Sequence, residues 1–141
     1  MEIFQHILKK PIKISKDGNF IDCEVINIPE PNIKNIEHIG KIQEIVKKSF
    51  YDFGQKQKDN LNDVKQVDDT EPTDEETVNQ LINIMQISSC YVKCLKEFKV
   101  FLLKFANCDE TKMLPKYVDD LDIKDFNAMM GAYIKKFLME G

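Results

Sequence analysis

The 141-residue chain is mildly acidic, with a formal net charge of −4, and all twenty of its basic residues are lysine. Without arginine, the bidentate guanidinium contacts that read guanine and clamp phosphate are missing, which argues against nucleic acid as a partner. No apolar run approaches the roughly 18 residues that a membrane span requires, and the start does not read as a secretory signal. These features predict a soluble, cytoplasmic protein of one domain.

The N-terminal segment, residues 1–31, predicts a β-hairpin. Two short apolar runs flank residues 16–19, where Asp17 and Gly18 supply the positive φ angles that a tight antiparallel turn demands. Pro29 and Pro31 end the second strand. Because an isolated hairpin is only marginally stable in water, we expect it to dock on helices, to pair with a third strand from a partner, or to order on assembly.

The remaining residues, 32–141, predict a helical domain. Apolar side chains at spacings of three and four indicate helices at 32–54, 74–106 and 122–139. The 74–106 pattern contains no Gly or Pro and carries two adjacent apolar stripes, which predicts a long central helix packed on both sides. The expected fold is α+β and predominantly α, with a hairpin followed by three helices.

Capping residues and composition indicate where these helices begin and end. Thr73 and Glu76 form a capping-box pattern before the central helix, and Asp122 is placed to cap the last helix. Gly54 is available as the left-handed stop of the first helix. Residues 55–72 carry many charges and few apolar side chains, so we expect a flexible, acidic linker there.

The cysteines offer an alternative in the form of a zinc site. Cys90 and Cys94 lie one helical turn apart and could face one metal. The remaining ligands would come from Cys23, Cys108, His6 or His38. Structural zinc normally uses Cys-x-x-Cys turns, and buried free cysteine is common, so we predict no metal and no cofactor. A disulfide framework is not expected either, because a chain of this length can build a substantial core.

Catalytic patterns are weak throughout the sequence. No Cys or Ser stands in a recognisable nucleophile context, and the five glycines are scattered singly rather than forming a phosphate loop. Carboxylates between residues 119 and 125 lack the glycine turn and terminal glutamate of an EF-hand loop, and helix capping explains them better. The residues therefore predict a non-enzymatic protein whose function is to bind another protein.

The order of motifs resembles the tail assembly chaperones of long-tailed bacteriophages. At the start, Lys10-Pro11-Ile12, the Asp17-Gly18 turn and a second strand closing at Ile28-Pro29 precede a helix. The closing stretch is similar to the end of that family, where a short apolar turn leads through Asp into a helix that finishes on aromatics. The matching residues there are Leu114, Val118, Leu121, Asp122, Asp125, Phe126 and Phe137.

This resemblance implies a chaperone that binds the tape measure protein, keeps that long helical protein soluble and promotes tail tube assembly in the host bacterial cytoplasm. The major tail tube protein and a second copy of the chain are further partners that it implies. Adaptable Met and Phe side chains on amphipathic helices suit such a partner. The predicted partner surface comprises Phe98, Phe101, Phe105, Met129, Met130 and Phe137. We expect one of Met129 and Met130 to face the partner, because adjacent helical residues point in different directions.

The alternative function is that of a small acidic helical adaptor or inhibitor. It would bind a cationic host protein through the carboxylates of residues 59–76. Binding of that kind would be strongly salt-dependent, whereas a chaperone would respond mainly to apolar changes on its helices.

Overall fold

The computed structural model describes residues 3–58 and 74–139. Helices hold 60% of the chain described and strands 24%, so the fold is mixed and predominantly helical. The strands are β1 (Ile3–Lys16), β2 (Asn19–Pro29), β3 (Asn107–Cys108) and β4 (Thr111–Lys112). The helices are α1 (Ile36–Lys58), α2 (Asp74–Ile87), α3 (Tyr91–Phe105), α4 (Pro115–Asp119) and α5 (Ile123–Ile134), and a π-helical turn, Lys135–Met139, follows α5.

The N-terminal antiparallel hairpin is confirmed. β1 and β2 pair up to Lys16 and Asn19, which leaves a two-residue turn. Asp17 and Gly18 in that turn have φ angles of 52° and 81°, the left-handed values that a type I′ hairpin turn requires. The hairpin belongs to a four-stranded sheet with the order β1-β2-β3-β4, so β1 lies at one edge.

A bulge in β1 changes which face of the hairpin is buried. Ile7 pairs with Val25 and Ile12 pairs with Cys23, so four residues of β1 oppose one residue of β2. Three extra residues shift the alternation of β1 by an odd number, which moves its following side chains to the other face. The half of the hairpin that lies away from the turn buries Ile26 and Ile28 of β2 on one face. The turn half buries Ile12, Ile14 and Cys23 on the opposite face.

The prediction of three helices with one long central helix is wrong, because the 74–106 segment divides into α2 and α3. Ser89 takes a φ of 65°, and its N–H donates to the Gln86 carbonyl, while the Cys90 N–H donates to the Met85 carbonyl at 2.8 Å. These are the two hydrogen bonds of a Schellman helix end. The Ser88 hydroxyl also donates to the Met85 carbonyl at 3.1 Å. The apolar spacing runs through this break because residues on both sides of it face the core.

The other predicted helix ends differ in part from the structure. α1 continues through Gly54 to Lys58, so the first residues assigned to the linker are helical. The rest of that linker and the proposed cap Thr73 lie outside the described residues. Asp122 is the N-cap of α5, as predicted, and its side chain accepts a hydrogen bond from the Lys124 N–H at 3.1 Å. α5 is α-helical only to Ile134, where the π-helical turn begins.

A disulfide joins Cys23 of β2 to Cys108 of β3, 85 residues apart, so the expectation of no disulfide is wrong. No local pattern indicates this bond, because β3 is only two residues long and pairs with β2 through Asn27 and Asn107 alone. The Cα atoms of Cys23 and Cys108 lie 6.1 Å apart, within the range that a disulfide spans. Cys90 and Cys94 remain free and buried.

One hydrophobic core contains residues from the hairpin and from the helices. Its centre is the fully buried ring of Tyr133, which lies 5.8 Å from the ring of Phe98 and 5.6 Å from that of Phe101. The Tyr133 hydroxyl donates to the Pro29 carbonyl at 2.8 Å. Because a buried phenol needs a hydrogen-bond partner, this contact fixes the end of β2 against α5.

Candidate partner-binding groove

Most of the predicted partner surface lies inside the core. Phe98, Phe101, Met129 and Met130 are all fully buried, so they do not form a surface in this fold. Phe105 and Phe137 are half-buried and pack against the same cluster. The sequence pattern identified these side chains as apolar and regularly spaced, and that pattern is typical of core residues as well as of binding residues.

Neither Met129 nor Met130 lies at the surface of this fold, because both are buried. They point in different directions, as adjacent helical residues must. α5, however, packs against α2 and against β1, so more than one of its sides is covered. Both thioethers therefore fill the core, which is the commoner role of methionine in a packed domain.

An open groove of about 760 Å³ lies between β1, α2 and α5. Its apolar lining comes from all three elements, with Val78 and Ile82 almost buried and Ile7 72% exposed. Ala128 and Ala132 of α5 complete that lining with small side chains, which leaves space above them. We call this feature the α2–α5 groove.

The α2 wall of the groove carries no net charge along most of its length. Asn79, Asn83 and Gln86 follow one another at spacings of four and three, so they share one face of α2. All three are exposed, and Glu75 precedes them at the first turn of the helix. Amide side chains of this kind can both donate and accept hydrogen bonds to a bound chain.

The opposite wall is built around the β1 bulge. The buried Asp125 carboxylate of α5 accepts hydrogen bonds from the N–H groups of Lys9 and Lys10 at 3.0 and 2.9 Å. These amides lie in the irregular part of β1, where ladder pairing with β2 is interrupted, so the carboxylate replaces the missing acceptors. The Lys10 ammonium reaches Asp122 at 3.2 Å and holds the pKa of that carboxyl below its ordinary value.

His6 lies beside this carboxylate and also lines the groove. Burial lowers the pKa of its imidazole, and the negative charge of Asp125 opposes that effect without cancelling it. Its Nε2 atom is buried and has no hydrogen-bond partner in the described part of the chain. His6 therefore places one buried polar atom without a hydrogen-bond partner among the residues that line the groove.

Close contact between α2 and α5 sets the depth of the groove. A Cβ atom placed on Gly131 would lie 2.5 Å from Val78 Cγ1, so only glycine permits this approach of the two helices. The Tyr91 hydroxyl donates to the Asn127 side chain and ties α3 to α5 next to the groove. The groove is therefore defined by packed secondary-structure elements and not by loops.

The other predicted sites are the cysteine cluster and the acidic segment. Cys23 and Cys108 bond to each other, so the four cysteines do not converge on one point. Across residues 3–58 and 74–139, no three His, Cys, Asp or Glu side chains are arranged to hold a metal ion. A smaller concavity of about 370 Å³ between α1 and α3 mixes lysines with Glu44 and Glu97. Of the acidic segment 59–76, residues 59–73 lie outside the described part, while Glu75 and Glu76 are exposed.

No protein-family model, curated protein or solved structure matches this chain. None of the helices in the described ranges combines the length and apolarity needed to cross a membrane.

Sequence reasoning missed the groove because its lining residues come from three separate segments. One signal was present in the uncharged run Asn79, Asn83 and Gln86, which forms the polar arc of α2. A second was Gly131, an isolated glycine inside an apolar helical pattern, which often marks a close helix contact. Neither signal identifies β1 as the third wall, since that depends on how the hairpin docks.

Proposed function

We propose that this protein is a non-enzymatic tail assembly chaperone of the long-tailed phage type, which binds the helical tape measure protein and keeps it soluble. Two features support this proposal: the resemblance of the sequence motifs to that family, and the α2–α5 groove, which offers a physical means of binding. The single observation that carries the proposal is this open groove with an apolar floor and an uncharged amide wall.

The length of the α2 wall suits a partner helix. α2 has 14 residues and is therefore about 21 Å long, enough to lie beside roughly four turns of a partner helix. In helix-in-groove recognition, apolar anchors repeat at positions i, i+3, i+4 and i+7 and enter a hydrophobic cleft. Covering the apolar seam of a long helical protein in this way prevents its aggregation.

The test is to look for a long helical reading frame next to this gene, to co-express it with this chain, and to measure how much of that partner is soluble and copurifies. Ile7→Glu is the informative variant, because Ile7 lines the groove and is 72% exposed, so the charge does not enter the core. Phe20→Glu is its matched control. Phe20 is 77% exposed on the same hairpin and does not line the groove.

We expect copurification with the unmodified chain and with Phe20→Glu, and loss of copurification with Ile7→Glu. Charged substitutions at Phe101 or Met130 are unsuitable, because both are fully buried and a charge there would unfold the domain. Failure of the unmodified chain to solubilise the partner would refute the chaperone function. Equal loss with both variants would place binding elsewhere on the hairpin.

A further inference from the structure

The two walls of the α2–α5 groove differ in charge. On the β1 and α5 side, Lys9, Lys10 and Lys124 line the groove. On the α2 side, the exposed run after Glu75 consists of amides. The asymmetry matters because the chain as a whole has a net charge of −4, so a local excess of lysine runs against the overall balance.

The carboxylates on the lysine side are already engaged. Asp125 is buried and accepts the two backbone N–H groups of the bulge. Asp122 is held by the Lys10 ammonium at 3.2 Å and by the Lys124 N–H. Lys9 and Lys124 are exposed, and neither ammonium forms an ion pair within residues 3–58 and 74–139. This wall therefore carries three lysine ammonium groups and two carboxylates, which leaves one net positive charge, and the Lys9 and Lys124 ammonium groups have no ion-pair partner among the described residues.

We infer that the groove binds an amphipathic helix whose apolar stripe is bordered by Asp or Glu on the flank facing Lys9 and Lys124 and by uncharged polar residues on the flank facing α2. This inference rests on the proposed function and specifies the kind of helix that is bound. A lysine-bearing flank on the β1 and α5 side would meet like charge, and an acidic flank would meet opposite charge. The amide side chains of α2 can form hydrogen bonds with either uncharged donors or uncharged acceptors on the other flank.

The expected effect is modest for each lysine. A solvent-exposed ion pair changes affinity by roughly twofold to fivefold, so the two together should change it by about tenfold. The difference should shrink at high salt, because exposed charges are screened. The apolar floor supplies the rest of the affinity and is insensitive to salt.

The test uses three synthetic 18-residue helical peptides with the same apolar stripe and with Glu, Gln or Lys along one flank. Dissociation constants are measured against the full-length protein by fluorescence anisotropy, at low and at high ionic strength. We expect the Glu peptide to bind about tenfold more tightly than the Gln peptide, and the Lys peptide to bind most weakly. The Lys9→Gln/Lys124→Gln variant should lose this preference while keeping its affinity for the Gln peptide.

Lys47→Gln/Lys112→Gln is the matched control, since it removes the same charge from exposed lysines outside the groove. We expect it to leave the preference intact. Equal binding of all three peptides, or an equal effect of the two double variants, would overturn the inference without affecting the groove itself. No binding of any peptide would also overturn it, and the co-expression experiment would then decide separately whether the chaperone function stands.

Discussion

Gly131 of α5 lies so close to Val78 of α2 that a methyl group on the glycine would come within 2.5 Å of Val78 Cγ1. Real Cβ atoms do not approach a neighbouring carbon this closely, and the β-branched valine is stiff at χ1, so it cannot easily move aside. The pair therefore fixes the separation of the two helices that wall the groove. It links a single residue choice to the shape of the proposed binding site.

The first prediction concerns this pair. Gly131→Ala should lower the free energy of unfolding by about 1 kcal/mol, because an overpacking cost of roughly 1–3 kcal/mol exceeds the gain of up to about 1 kcal/mol from alanine's helix propensity. Val78→Ala removes the methyl groups that the new Cβ atom would meet. The loss of unfolding free energy in the Gly131→Ala/Val78→Ala double variant should therefore be smaller than the sum of the losses in the two single variants. Urea denaturation of all four proteins measures this coupling. Strict additivity would show that the helices are not held apart by this contact.

The second prediction concerns Asp125. Asp125→Ala should cost about 2–4 kcal/mol, because it removes two charge-assisted hydrogen bonds and leaves the Lys9 and Lys10 N–H groups without their acceptor. Asp125→Asn keeps one carbonyl acceptor and should cost less. Asp120→Ala, at an exposed carboxylate nearby in the sequence, is the control and should change stability by less than about 0.5 kcal/mol. A cost for Asp125→Ala no larger than that of the control would mean that the bulge does not depend on this carboxylate.

The third prediction concerns the cysteines. Denatured but unreduced protein should show two reactive thiols and reduced protein four, since Cys23 and Cys108 are bonded and Cys90 and Cys94 are free. In the native protein the free thiols should react slowly, because both are buried and burial raises the pKa of Cys94 to about 12. Four reactive thiols before reduction would contradict the disulfide.

Reduction of this disulfide should also lower stability. The bond closes a loop of 85 residues, and in the chain-entropy model a loop of that span raises the free energy of the unfolded state by about 4–5 kcal/mol. Unfolding measured with and without dithiothreitol gives the change. The Cys23→Ala/Cys108→Ala variant is the control, and the reductant should leave its stability unchanged.

The fourth prediction concerns pH and His6. Burial lowers the pKa of His6 below the ordinary value of 6.5, so the unfolded chain binds this proton more tightly than the folded chain does. The contribution of neutral His6 is complete above pH 6.5 and is lost as the pH falls through 6.5 to the lower folded pKa. Asp125 of α5 faces the ring and limits the loss, because its negative charge favours the imidazolium.

The measurement is the free energy of unfolding between pH 5 and pH 8 for the unmodified chain and for His6→Gln. We expect the unmodified chain to lose more stability than the variant between pH 7 and pH 5, with parallel curves above pH 7. Parallel curves over the whole range would show that His6 does not couple folding to pH.

The sequence by itself determined the local elements whose signals are contained in a few neighbouring residues. The Asp17-Gly18 turn specified the hairpin because only certain residues tolerate two consecutive positive φ angles. The Asp122 cap specified the start of α5 because a carboxylate accepts the free N–H groups of a first helical turn. Periodic apolar residues correctly indicated most of the helical residues, since helix geometry places every third or fourth side chain on one face.

Only the tertiary structure decided the features that depend on residues far apart in the chain. The break at Ser89 was hidden because the apolar period continues through it while the backbone turns. The apolar spacing also could not distinguish core residues such as Phe98 and Met130 from binding residues. A helix face has the same pattern of apolar residues whether its own chain or a partner covers it. The Cys23–Cys108 bond and the groove likewise arise from how the hairpin docks on the helices. Docking is set by long-range packing that no local pattern encodes.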